Sequence, residues 1–202
     1  TIEDQYNKQH PEIVVIDNFL SDEALRDMQK YCRNANIFKY PYEFGYVGAF
    51  LTKGIFNKFF LKLSEDMRLT YNNIFKNYKL TQAWIFKYDN KKIGTKVHAD
   101  QASINVNFWI APEDSNLDTK SGGLVIWNKL PPEDWKFSDY NSIGATKKIN
   151  EFLKSEDVEK IIVPHKENRC VIFNSKLFHK TDNFTFKDSY ISRRTNVTFL
   201  FD

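Results

Sequence analysis

RRTNVTFLF, residues 193–201, is the stretch whose two faces decide the fold. Side chains two apart on a strand share a face, so Arg194, Asn196 and Thr198 point one way and Thr195, Val197, Phe199 and Phe201 the other. One side is thus polar within an otherwise hydrophobic strand. Burying the guanidinium of Arg194 without a partner would be costly. An anionic ligand removes that penalty, because the planar fork meets a carboxylate in two parallel hydrogen bonds. Arg193 belongs to the opposite face and points toward an outer layer or solvent.

The strand SINVNFWIA, residues 103–111, is two-sided in the same way, with Ile104, Val106, Phe108 and Ile110 against Asn105, Asn107 and Trp109. A second sheet laid over the polar side would place Asn105 and Asn107 inside a cavity as hydrogen-bonding groups. Further strands are expected at 82–88, 96–99, 123–128, 160–164, 169–174 and 177–181. Short strands of this kind, separated by turn residues, mark an all-β sandwich or barrel. The expected class is mainly β, a double-sheet jelly roll.

Upstream, EIVVIDNFL at 12–20 reads as a short buried strand. Ser21, Asp22 and Glu23 then open a helix to about Asn34 that carries Leu25, Met28 and Cys32 on one face. From Gly54 to Tyr78 apolar residues recur every three or four positions, which predicts one long amphipathic helix. We expect a single domain over 1–202: a helical support layer at 1–80 on one outer face, a β core at 82–202, and a polar insertion at 131–159. The insertion holds Trp135, Phe137 and Tyr140, then a short helix at about 145–155. Its length suggests a lid over a binding site.

The 29 basic and 26 acidic side chains leave a formal charge of +3 with no basic tail or stripe, so charge does not point to nucleic acid. No run reaches the ~18 apolar residues of a membrane span. Two cysteines, Cys32 and Cys170, cannot make a disulfide framework. A soluble protein in the reducing cytoplasm is the expectation. His10 and His165 lie in polar segments and read as surface histidines, and Trp84, Trp127 and Trp135 as core.

Chemistry enters with His98 and Asp100 in KVHADQ, which share a face of an extended segment and can hold one ion together. His179, in NSKLFHKTDN, returns from a distant strand as a third ligand. Two imidazoles and a carboxylate with the other positions open form the facial triad of non-haem iron(II) enzymes. Taken singly, His179 reads equally well as a hydrogen-bonded core histidine. The same three ligands also suit catalytic zinc in a hydrolase, though that reading leaves Arg194 without a role. A non-catalytic jelly-roll module for a peptide, glycan or nucleotide is the other alternative.

Taken together, His-x-Asp in YDNKKIGTKVHAD, SGGLVIW, VIFNSKLFH and the closing RRTNVTFLF make residues 82–202 resemble the iron(II)- and 2-oxoglutarate-dependent dioxygenases. The likeness is to their prolyl 4-hydroxylase-like branch. RTNVT also resembles the last strand of the AlkB-type demethylases, a likeness that stops at Phe86, where those proteins have Asn. The resemblance implies a double-stranded β-helix of the cupin-like kind, with iron(II), 2-oxoglutarate and dioxygen as cofactor and co-substrates. It also implies His98, Asp100 and His179 on the metal, and Arg194, Tyr88, Asn196 and Asn105 on 2-oxoglutarate. The reaction it implies is hydroxylation of an unidentified protein side chain or small molecule, releasing succinate and carbon dioxide. Related halogenases lack the carboxylate that Asp100 supplies.

Overall fold

The computed structural model of the chain describes residues 1–90 and 93–202. Two antiparallel sheets face each other, and helices cover the outer side of the larger one. In chain order the elements are α1 (Ile2–Lys8), β1 (Ile13–Ile16), α2 (Asp22–Asn34), β2 (Tyr40–Tyr42), β3 (Tyr46–Phe50), α3 (Lys58–Thr70), α4 (Asn72–Phe75), β4 (Leu80–Tyr88), β5 (Ile104–Trp109), β6 (Leu124–Trp127), α5 (Phe137–Tyr140), α6 (Thr146–Phe152), β7 (Lys160–Val163), β8 (Cys170–Asn174), β9 (His179–Thr181) and β10 (Thr195–Phe201). The larger sheet has the order β1-β8-β5-β10-β4-β3-β2 and the smaller β7-β6-β9. The jelly-roll expectation holds.

β10 lies between β4 and β5, with Val197 opposite Ile85 on one side and Phe108 on the other. Its outer face behaves as the alternation predicts. Val197, Phe199 and Phe201 join Val106, Phe108, Ile85 and Ile172 in one core with Met28 and Cys32 of α2 and Phe60 and Met67 of α3. Phe199 stacks on Phe108 at 6.2 Å and meets Phe60 at 5.8 Å, while Phe201 packs on Phe75 at 4.8 Å. The inner face carries a second, smaller core of Trp109, Leu124, Ile126, Val163, Val171, Phe173 and Leu177. That core closes one end of the space between the sheets and leaves the other end to polar groups.

Several boundaries differ from the sequence reading. The long helix expected from Gly54 starts at Lys58, since Gly54 has φ +124° and the Asn57 side chain caps the Phe60 N–H at 3.1 Å. It breaks at Tyr71, whose backbone (φ −115°, ψ 51°) is not helical, among weak helix formers from Thr70 to Asn73. The support layer is also not purely helical: β1, β2 and β3 all join the larger sheet. β2 and β3 form a hairpin at the sheet's edge, where Pro41 is tolerated because its missing N–H faces no neighbouring strand. The predicted strand at 96–99 is reduced to one bridge, in which His98 and His179 exchange backbone hydrogen bonds of 3.0 and 2.8 Å. This bridge extends the smaller sheet beyond β9. Among the described residues no helix is long and apolar enough to cross a membrane.

Candidate metal centre and cleft

The bridge between residues 98 and 179 decides the site, because it sets two imidazoles side by side with ring centroids 4.4 Å apart. Each ring is oriented in the same way. His98 Nδ1 lies 2.7 Å from the Lys96 carbonyl and His179 Nδ1 2.8 Å from the Leu177 carbonyl. A carbonyl can only accept, so Nδ1 carries the hydrogen in both rings and Nε2 presents a lone pair. Both Nε2 atoms face Asp100, His98 at 3.6 Å from Oδ1 and His179 at 3.5 Å from Oδ2. Donor atoms bonded to one ion at about 2.1 Å and at right angles lie roughly 3 Å apart. The three residues, whose ligand atoms all lie within 4.8 Å of one another, therefore fit one divalent ion with little adjustment.

The electrostatics agree with ligation. Enclosure, and after it the neighbouring His179, hold His98 below the ordinary imidazole range, so the ring stays neutral. Burial pushes Asp100 upward, but His98, His179 and Asn141 together outweigh it and keep the carboxyl below its usual value. A neutral His98 beside an ionised Asp100 is what a metal requires of such ligands.

Behind these three residues lies a recess of about 30 Å³ lined by Tyr88, Asn105, Asn107, Arg194, Asn196 and Thr198 together with His98, Asp100 and His179. Arg194 is 1% exposed. Its Nε and Nη2 donate to the Gly122 and Gly123 carbonyls at 2.6 and 2.9 Å, and Nη1 donates to Asn196 Oδ1 at 3.1 Å. The hydrogen-bond acceptors it meets among the described residues are thus two carbonyls and an amide, none of them a carboxylate. Burial pulls its pKa down, opposed by Tyr88 and Asp182, and its guanidinium carbon sits 4.6 Å from the centre of the Tyr88 ring. Gly123, whose carbonyl accepts from Nη2, lies so close to the backbone at 163–165 that a Cβ there would collide with the Val163 carbonyl. Arg193 points outward to Asp188 and Asp89, as the alternation predicts.

Asn105 and Asn107 both enter the interior. Asn105 Nδ2 donates to Asp100 Oδ2 at 3.2 Å and Asn107 Nδ2 to Thr198 Oγ1 at 2.9 Å. Their Oδ1 atoms, like Trp109 Nε1, are buried without a partner. Buried polar groups are nearly always hydrogen-bonded, so a recess lined by unsatisfied ones is suited to a polar ligand.

The recess adjoins an open cleft of about 720 Å³, with which it shares Trp84, Phe86, Thr95, His98 and Asp100. Tyr46, Phe50, Trp84 and Phe86 form an aromatic wall, while Phe137, Asn141, Ser142 and Ile143 of the insertion form the opposite side. Trp84 thus lines the cleft rather than the core. Trp135 does the reverse: it packs on Phe152 and Phe178 and anchors the insertion instead of covering the site.

Two residues escaped the sequence reading. His165 is buried, not a surface histidine, with both ring nitrogens unpartnered. Burial, followed by Arg194 and Arg169, lowers its pKa to about 3. Asn141, lost in a polar stretch with no periodicity to flag it, donates to Asp100 Oδ1 at 3.2 Å.

No protein-family model and no curated protein matches this sequence. Solved structures do match in shape. The epimerase SnoN in complex with Fe3+, alpha ketoglutarate and nogalamycin RO superposes with a TM-score of 0.66 at 10% identity, over 99% of this chain and 81% of its own. A Pseudomonas putida prolyl-4-hydroxylase gives 0.64 at 12% identity, over 99% and 97%. A prolyl hydroxylase from Trichoplax adhaerens, in complex with a hypoxia inducible factor peptide, gives 0.57 at 15% identity, over 100% and 87%. The chain therefore has the jelly-roll fold of the iron- and 2-oxoglutarate-dependent oxygenases. Likeness at such identities establishes architecture, and the chemistry has to be argued from the site.

Proposed function

We propose that this protein is an iron(II)- and 2-oxoglutarate-dependent oxygenase that hydroxylates a substrate held in the aromatic cleft. The observation that carries the reading is the pairing of an ion-sized His98–Asp100–His179 cluster with a buried, carboxylate-free arginine on the same recess. Either feature alone has a structural explanation. Together they fit a metal ion and a dicarboxylic acid bound side by side.

In this reading His98, Asp100 and His179 hold iron(II), and Arg194 grips the distal carboxylate of 2-oxoglutarate, with Tyr88 and Asn105 alongside. Asn196 holds the fork in plane through its contact with Nη1. A recess of about 30 Å³ has room for about one water molecule, so the five-carbon acid would also occupy the adjoining floor of the cleft. When bound, iron, 2-oxoglutarate and dioxygen supply the oxidising chemistry, with succinate and carbon dioxide as by-products. The chain itself orients the ligands, keeps the His98 imidazole neutral and walls the reacting C–H bond off from water. The aromatic wall and polar rim suit a peptide side chain or a small molecule. Two buried free thiols, Cys32 and Cys170, support a reducing compartment such as the cytoplasm.

The test is anaerobic addition of iron(II) and 2-oxoglutarate to the purified protein. A weak visible charge-transfer band should develop, and admitting air should release succinate. A protein that shows neither is not an oxygenase of this kind.

A further inference from the structure

The metal carboxylate receives a donor from each side, and the two donors come from different parts of the chain. Asn105 on β5 reaches Asp100 Oδ2 at 3.2 Å, and Asn141, in the insertion, reaches Oδ1 at 3.2 Å. The insertion is clipped to the ligand segment at two further points: Ala99 N–H donates to the Tyr140 carbonyl at 3.0 Å, and Asn141 Nδ2 also donates to the Ala99 carbonyl at 2.7 Å. That amide is therefore committed to the segment that carries His98 and Asp100.

The geometry points to Asn141 as a positioning residue that fixes the plane of the Asp100 carboxylate on the metal. This rests on the oxygenase reading above. An aspartate that ligates through one oxygen leaves the other free to swing in and chelate, which would take a coordination position needed by 2-oxoglutarate or dioxygen. A hydrogen bond to each oxygen opposes that rotation, and partners of this kind commonly change metal affinity 10–100-fold when removed. Asn141 lies beside Ser142 and Ile143 on the wall of the cleft, so one turn of chain both shapes the substrate cavity and holds the metal ligand.

The experiment compares the full-length protein with N141A and F137A. Phe137 lies in the same cleft wall and its hydrocarbon ring can donate no hydrogen bond to Asp100, so F137A reports damage to the insertion as such. Iron(II) affinity is titrated anaerobically, and cobalt(II) is substituted so that its visible bands report coordination geometry. In N141A iron(II) should bind about ten-fold more weakly and the cobalt bands should shift, with F137A matching the parent in both. Unchanged affinity and bands in N141A would overturn the assignment. So would equal losses in both variants, because the insertion would then be acting only as a fold element. If the parent itself binds neither metal, the oxygenase reading falls and takes this one with it; if the parent binds and N141A does not differ, only the role of Asn141 is lost.

Discussion

The two faces of β5 and β10 are made by the same two strands and obey opposite rules. On the outer face Val106, Phe108, Val197, Phe199 and Phe201 share one apolar core with Met28 and Cys32 of α2 and Phe60 and Met67 of α3. On the inner face Asn105, Asn107, Asn196 and Thr198, with Arg194 just before β10, are also buried, yet the Oδ1 atoms of Asn105 and Asn107 have no partner among the described residues. A strand can afford polar groups at that depth only where something else satisfies them. One face thus holds the molecule together, and the other is prepared for a guest.

That contrast is tested most severely on its apolar side. Phe199→Ala should cost about 3–5 kcal/mol, the largest effect of any change proposed, read as a lower urea midpoint with an unchanged slope. The surviving folded protein should still bind iron(II) normally. A loss below about 1 kcal/mol would mean that the outer face is not the main source of stability.

The inner face should respond in binding instead. Arg194→Lys keeps the charge but replaces a planar fork by a point donor. Losing one charge-assisted hydrogen bond of about 1.5–3 kcal/mol corresponds to roughly a 10- to 150-fold weaker affinity for 2-oxoglutarate. Calorimetry on the protein loaded with manganese(II) would measure it, and an unchanged affinity would show that the dicarboxylate lies elsewhere.

The contrast was largely visible in the amino-acid order, because alternation on 103–111 and 193–201 assigns every side chain to a face before any coordinates exist. The triad was legible for a related reason: His98, Asp100 and His179 sit in or beside extended segments, where spacing fixes direction. Elsewhere the rule had nothing to act on. The hairpin at 40–50 is split by its turn at Gly45 into strands of three and five residues. These are too short for the alternation that sets Tyr40, Tyr42, Tyr46 and Phe50 on one face to stand out in the sequence. Asn141 lies in an irregular turn, where no spacing predicts which way a side chain points. His165 was misread because its sequence neighbours, Lys166, Glu167 and Asn168, are polar, while its burial comes from Trp109 and Phe186, which are distant in sequence.

His165 offers the subtlest way to sharpen the comparison, since it is a polar group in the inner layer with no guest evident for it. Its folded pKa of about 3 lies below the unfolded value of about 6.5, so the unfolded chain takes up the proton first. The neutral ring therefore costs no stability above pH 6.5, and stability is lost progressively as pH falls from 6.5 toward 3. At about 1.4 kcal/mol per pH unit, the loss by pH 5 is roughly 2 kcal/mol. His165→Phe has a ring of similar shape that cannot be protonated, so its stability should fall less than the parent's between pH 7 and pH 5, by about that amount. Urea unfolding at the two pH values reads the difference directly. Parallel losses in both proteins would mean that the folded chain protonates His165 as readily as the unfolded one does, so that the ring is not held in the interior without a partner.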